Sequence, residues 1–129
     1  MSKLLVVEDT PELGILYQRL FHRHQVHIAA TAWQAIALLE KEDPFDLVLL
    51  DMHLPEVSGM VVLQHIRKMP KGDALHVFVI SADDTLRGKA ELLGIQKWMT
   101  KPIELDDLLK FAAPYLHKDE PPPPPFLVV

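Results

Sequence analysis

The chain has 129 residues, 49% hydrophobic and 24% charged, with a formal charge of -5. That is enough for one domain with a real core and too few for two, and the acidic balance makes the chain as a whole a poor electrostatic match for nucleic acid. No cysteine occurs, which excludes disulfides and thiol catalysis and suits a reducing compartment; the opening apolar stretch is too short for a signal peptide and no run approaches the roughly 18 apolar residues of a membrane span, so a cytoplasmic protein is expected.

Strand-like and helix-like runs alternate five times. The first strand is Lys3-Leu4-Leu5-Val6-Val7, closed by Glu8 and Asp9. Leu13, Leu16, Tyr17, Leu20 and Phe21 then fall at helical spacing, with Thr10 as the expected cap and Pro11 in the first position. Val26 to Ala29 reads as a second strand, and the Thr31 and Gln34 pair as a capping box opening a helix through about Lys41. Leu47 to Leu50 is the third strand, closed by Asp51. Pro55 and Gly59 punctuate the next loop, and a helix follows to about Lys68 with Val62, Leu63 and Ile66 inward. Leu75 to Ile80 is the fourth strand, broken by Ser81-Ala82-Asp83-Asp84. A helix from about Thr85 to Leu93 stops at Gly94; its interior Gly88 costs about 1 kcal/mol relative to alanine, so this is expected to be the softest helix. Ile95 to Met99 is the last strand, and Leu105, Leu108, Leu109 and Ala112 mark the last helix, with Asp106 and Asp107 near its positive end.

Such alternation predicts an α/β fold: a doubly wound, five-stranded parallel sheet with helices on both faces. The strands are nearly all apolar, as burial on both sides requires. In the order 2-1-3-4-5 the first and third strands are neighbours where the winding reverses, the place where such sheets bind ligands, so Asp9 would face Asp51. Residues 1–118 are read as the domain and residues 119–129 as a proline-rich tail or linker, since Pro121 to Pro125 suits extended polyproline of about 3.1 Å per residue.

A charge closing a buried strand is costly unless compensated. With the sheet in place, Glu8 and Asp9, Asp51, Ser81 and Lys101 all arrive at one edge. Three carboxylates at close quarters repel, and a hard dication relieves that; Mg²⁺ prefers oxygen ligands and commonly takes one or two carboxylates plus phosphate. A carboxylate can act as a nucleophile toward phosphorus, and the metal, a lysine and a hydroxyl such as that of Ser81 can share the charge on phosphoryl oxygens.

At this point the chain resembles a receiver domain of the two-component response regulators, the flavodoxin-like receiver fold. Glu8-Asp9, Asp51, Pro55, Gly59, Ser81-Ala82 and Lys101-Pro102 stand in family order and close to family spacing, and the match covers about Lys3 to Ala113. The resemblance implies that Asp51 accepts a phosphoryl group from a histidine kinase or a histidine phosphotransfer protein. It implies Mg²⁺ on Asp9 directly, on Glu8 through water, on Asp51 and on the main-chain carbonyl of His53. Lys101 would pair with the phosphoryl group ahead of a cis bond to Pro102, and Ser81 would move toward it with the loop beginning at Ala82. The family's switch aromatic falls on Trp98, where tyrosine or phenylalanine is usual; Ala32, beside Trp33, stands where glycine is common, and Leu54, where methionine is common, is a mild departure. The readout face would be the fourth helix, fifth strand and fifth helix, acting on a downstream effector or on an output domain outside this chain, without direct nucleic-acid or membrane contact.

Other readings compete. Hydrolases that work through an aspartyl phosphate place a second aspartate two residues after the nucleophile; here that residue is His53, so at most slow self-dephosphorylation is expected. A docking module of the same fold that never needs phosphate is the alternative that Trp98 keeps open. The acidic turn after the first strand would repel a flavin phosphate. His22, His24 and His27 straddle a helix end and a strand without zinc-ligand spacing. Phe111 and Tyr115 lie partly off the apolar stripe and read equally as a homodimer or docking face and as a wider buried face.

Overall fold

The computed structural model describes residues 2–41 and 44–116. Five strands, β1 (Lys3–Val7), β2 (Gln25–Ala29), β3 (Leu47–Leu50), β4 (His76–Ser81) and β5 (Lys97–Thr100), alternate with α1 (Pro11–Leu20), α2 (Ala32–Lys41), α3 (Gly59–Lys68), α4 (Arg87–Leu92) and α5 (Leu105–Ala112). The strands form one sheet in the order β2-β1-β3-β4-β5, and every neighbouring pair is parallel. The expected fold class and strand order are the observed ones.

Successive strand residues point to opposite faces, and both faces are covered. Leu5, Val7, Val48 and Leu50 pack with Ala35, Val62, Leu63 and Ile66 on the side of α2, α3 and α4. Leu4, Val6, Leu47 and Leu49 pack with Tyr17, Phe21, Leu108 and Leu116 on the side of α1 and α5. That is why β1, β3 and β4 read as apolar runs up to their carboxyl ends, whereas the edge strand β2 carries Gln25 and His27 and is only partly buried. Among the described residues no helix is long and apolar enough to cross a membrane. The proline-rich segment, and with it the reading of residues 119–129 as a tail, lies outside the described residues.

Several boundaries differ from the sequence reading, each for a local reason. Thr10 occupies the cap position of α1 but makes no side-chain cap bond; its backbone N–H donates to Glu8 Oε2 instead, at 3.2 Å. In α2, Thr31 Oγ1 accepts from the Gln34 N–H at 3.1 Å, but Gln34 returns to the Ala30 N–H at 2.8 Å, one residue upstream of the usual capping-box partner. The start of α4 slips from Thr85 to Arg87 because Asp83 Oδ1 accepts from both the backbone N–H and the hydroxyl of Thr85, folding those residues into a turn. The fourth strand runs one residue further than expected, to Ser81, and β5 begins at Lys97 rather than Ile95. Gly94 ends the α4 segment at φ 81°, where a side chain is strained. Leu16 and Leu109, expected inward, are each more than one-third exposed. Tyr115 resolves to packing, its ring 5.5 Å from that of Phe78 and 4.6 Å from that of His76, whereas Phe111 stays half-exposed under the Lys97 ammonium.

At six residues α4 is the shortest of the five α-helices among the described residues, and a Cβ at Gly88 would touch nothing within 4 Å. Gly88→Ala should therefore stabilise the domain by about 0.4–1 kcal/mol, through the smaller entropy of the unfolded chain. A urea midpoint that moves upward with unchanged slope is the expected measurement.

Candidate functional site

The parallel register runs one residue past the strand ends and locks the site residues to their neighbours. The Glu8 N–H donates to the Ala29 carbonyl at 2.9 Å, the Asp51 N–H to the Val7 carbonyl at 3.0 Å, and the Lys101 N–H to the Ser81 carbonyl at 2.7 Å. Main-chain bonds thus position Glu8, Asp51 and Lys101 independently of their side-chain contacts. β1 sits between β2 and β3, so Glu8, Asp9 and Asp51 meet where the winding reverses.

One carboxylate oxygen from each of Glu8, Asp9 and Asp51 can be chosen so that all three lie within 4.8 Å of one another. Glu8 and Asp51 are buried, at 3% and 5% exposure, while Asp9 is open to solvent. Lys101 Nζ donates to Glu8 Oε1 at 2.9 Å and to Asp51 Oδ2 at 3.0 Å. Asp51 Oδ1 accepts from the His53 backbone N–H at 2.9 Å. Burial pushes the Glu8 carboxyl above its ordinary range, with Asp51 adding to the rise, and the bonds from Lys101 and Thr10 only partly offset it. Burial alone would lower the Lys101 ammonium, but its bonds to Glu8 and Asp51 outweigh that and raise it. The Tyr17 phenol, buried and close to the same acids, is pushed up to about 12. The donor set, all carboxylate oxygen with one open member, suits a hard dication rather than zinc.

Gly59 fixes how α3 meets this edge. A Cβ there would lie 2.1 Å from the Asp51 carbonyl oxygen and 2.9 Å from Met52 Cα, so only glycine lets the helix start against the backbone of Asp51. The Gly59 N–H donates to the Met52 carbonyl at 2.9 Å, and Ser58 Oγ caps the helix by accepting from the Met60 N–H. Pro55 lies in the same loop, exposed, and its carbonyl accepts from the Val57 N–H at 2.8 Å. On the far side, the Lys101–Pro102 bond is cis.

Ser81 is 1% exposed, and its hydroxyl finds no hydrogen-bond partner among the described residues. A buried hydroxyl without a partner is costly and calls for an explanation; at the end of β4, beside Lys101, a ligand oxygen is the chemistry that would satisfy it. Ala82 follows on the surface. Trp98 lies inward, and its Nε1 donates to Asp84 Oδ1 at 2.9 Å. His53 Nε2 lies 3.1 Å from Asp83 Oδ2, both side chains being about half exposed. Asp83 and Asp84 are the residues that sequence reasoning missed: they registered only as a strand break, although two consecutive acids directly after a site serine were the available signal. The three clustered histidines go separate ways. His22 Nδ1 lies 3.1 Å from the Arg19 carbonyl, His24 Nδ1 accepts from the Ser2 N–H, and His27 sets its ring edge-on to Phe45.

Residues 4–113 match the family described as the response regulator receiver domain. The chain belongs to that family. It is a receiver domain of the two-component systems, which places it in a family of signalling switches that work with histidine kinases and phosphotransfer proteins. The receiver domain is 28% identical over 117 residues to sporulation initiation phosphotransferase F of Bacillus subtilis, covering 89% of this chain and 94% of that one. Its fold is similar to that of the non-phosphorylated HemR receiver domain from Leptospira biflexa, with a TM-score of 0.81 and 26% identity over 95% of this chain and all of that one. It is similar also to the response regulator TrrA from Thermotoga maritima, crystallised with Mg²⁺ and BeF, with a TM-score of 0.78 and 24% identity over 90% of this chain and all of that one.

In this receiver domain Gly59→Ala should force α3 off the Asp51 backbone. The obstructing atom is main-chain carbonyl rather than the end of a flexible side chain, so a loss toward the upper part of about 1–3 kcal/mol is expected. Urea unfolding measures it, and a stability equal to the parent's would contradict the packing described.

Proposed function

We propose that Asp51 is the phosphoacceptor. A carboxylate oxygen of Asp51 attacks the phosphorus of a phosphohistidine on a histidine kinase or a histidine phosphotransfer protein. The P–N bond breaks as the aspartyl P–O bond forms, and the imidazole nitrogen keeps the electron pair and takes a proton. The observation that carries this reading is the Lys101 ammonium held between the buried carboxylates of Glu8 and Asp51 at 2.9 and 3.0 Å. A cation already bonded to the acceptor is positioned for the charge that arrives on phosphoryl oxygens.

Glu8, Asp9 and Asp51, with the main-chain carbonyl of His53, would hold Mg²⁺. The ion would neutralise the clustered acids and the incoming phosphoryl oxygens. Three carboxylates within reach of one another, with Asp9 open to solvent, fit that role, and TrrA was crystallised with Mg²⁺. The unpartnered Ser81 hydroxyl would donate to a phosphoryl oxygen and draw Ala82 and the following loop with it. The shift biases two pre-existing surface states, read on α4, β5 and α5 by a downstream effector, an output domain or a second copy. Leu92 on α4 is 88% exposed, and Leu109 and Phe111 on α5 are partly so. We place the switch in residues 1–118, in the cytoplasm, with residues 119–129 as tail or linker. Turnover of external phosphate esters is not part of the reading, because His53 stands where an aspartyl-phosphate hydrolase needs a second acid.

Asp51→Asn should abolish Mg²⁺-dependent labelling by acetyl phosphate, and labelling that persists at the parent rate would refute the assignment. A second experiment tests the metal through stability. Lys101→Met leaves two buried acids without their shared cation and should cost about 1–3 kcal/mol, less than for a fully buried pair because Lys101 is partly exposed. Millimolar Mg²⁺ should return more stability to this variant than Na⁺ at equal ionic strength, by mass action on the folded state. Equal thermal midpoints in the two salts would count against the acids as an ion site.

A further inference from the structure

The loop after β4 is moored on two sides by consecutive acids. Asp83 turns toward the β3–α3 loop, meeting Thr85 and His53. Asp84 turns toward β5, where its Oδ1 alone accepts from Trp98 Nε1 at 2.9 Å and from Thr100 Oγ1 at 2.7 Å. Trp98 and Thr100 are two residues apart on one strand and so share a face, which lets one carboxylate oxygen serve both. We propose that Asp84 is a positioning residue that ties the loop following Ser81 to the indole of Trp98 and the hydroxyl of Thr100, so that Trp98 moves only together with that loop. The inference rests on the reading that Ser81 moves toward a phosphoryl group on Asp51.

An indole N–H donates and cannot accept. Trp98 is 7% exposed, and a partly buried N–H that loses its acceptor is destabilised where it stands. The inward seat of Trp98 therefore holds while Asp84 is beside it. Asp84 lies only three residues after Ser81, and Thr100 immediately precedes Lys101. A displacement of Ser81 toward Asp51 thus reaches Asp84 through the chain, and Asp84 is bonded to the strand end that delivers the lysine. The bonds from Thr100 and Trp98 also hold the Asp84 carboxyl below its ordinary range, as expected for a carboxylate that serves as an acceptor. A phenyl ring at position 98 could not make this bond.

The test uses the whole chain carrying Trp33→Phe, which leaves Trp98 as its sole tryptophan since the chain has two. Trp33 is half-exposed and lies outside the site. Emission wavelength and acrylamide quenching of Trp98 are read without ligand and with Mg²⁺ plus beryllofluoride. Without ligand, Asp84→Ala should red-shift the emission and raise the quenching constant severalfold. Asp84→Asn should fall between it and the parent, because its amide oxygen still accepts but is uncharged. Beryllofluoride should shift Trp98 in the parent and do little more in Asp84→Ala, where the tie is already gone. Ligand-free Asp84→Ala with parental emission and quenching, or a beryllofluoride response that simply adds to the substitution, would overturn the proposal. Far-ultraviolet circular dichroism and Asp84→Asn guard against misfolding as the cause. A parent that neither responds to beryllofluoride nor is labelled by acetyl phosphate would defeat the phosphoacceptor reading instead; the ligand-free comparison of Asp84→Ala with the parent decides the tie in either case.

Discussion

The Lys101 ammonium lies 2.9 Å from Glu8 Oε1 and 3.0 Å from Asp51 Oδ2, and both acids are buried at the end of an apolar sheet. Uncompensated, each would cost several kcal/mol. The lysine comes from a segment 93 residues from Glu8 and 50 from Asp51. The contact therefore exists only when β1, β3, β4 and β5 are in register, and a one-residue slip in any of those pairs would turn the acids away from it. The buried charges of the site are thus compensated only once distant strands have assembled, and the site and the fold are one problem.

The polar residues around that centre divide into fixed and reserved groups. Glu8, Asp51 and Lys101 are held by main-chain bonds to neighbouring strands, and Gly59 pins α3 onto the Asp51 backbone. By contrast, Ser81 Oγ is buried without a partner among the described residues, and the loop after it is tethered at its surface by Asp83 and Asp84. A tightly bonded centre beside a hydroxyl unsatisfied among the described residues, and a tethered loop, is an arrangement suited to a switch, where a small chemical change at a fixed point releases a discrete rearrangement nearby. Membership of the receiver family gives that arrangement its context.

The element pattern was legible because the physics behind it is local. The third strand was read to the residue, since an unbroken run from Leu47 to Leu50 ends at a charge. The inward faces of α3 at Val62, Leu63 and Ile66 followed from helical spacing. The α4–β5 region was read less well: α4 begins two residues late and β5 two residues late, because side-chain bonds from Asp83 and a left-handed Gly94 decide where those elements start and stop. Periodicity places Leu109 inward, yet it lies more than one-third exposed, since α5 buries a narrower stripe than its leucines suggest.

Residue pattern alone carries the alternation of strands and helices, the acids that close β1 and β3, and the expectation that Glu8, Asp9, Asp51, Ser81 and Lys101 arrive at one sheet edge. These are properties of hydrophobic period and of residue type at strand ends, which need no knowledge of neighbours. It takes the packed fold to show that Lys101 bridges Glu8 and Asp51, that Gly59 is required by a carbonyl 2.1 Å from where its Cβ would lie, and that Asp84 accepts from Trp98 and Thr100. Those facts depend on distances between segments far apart in the chain, and no local pattern of residues carries them.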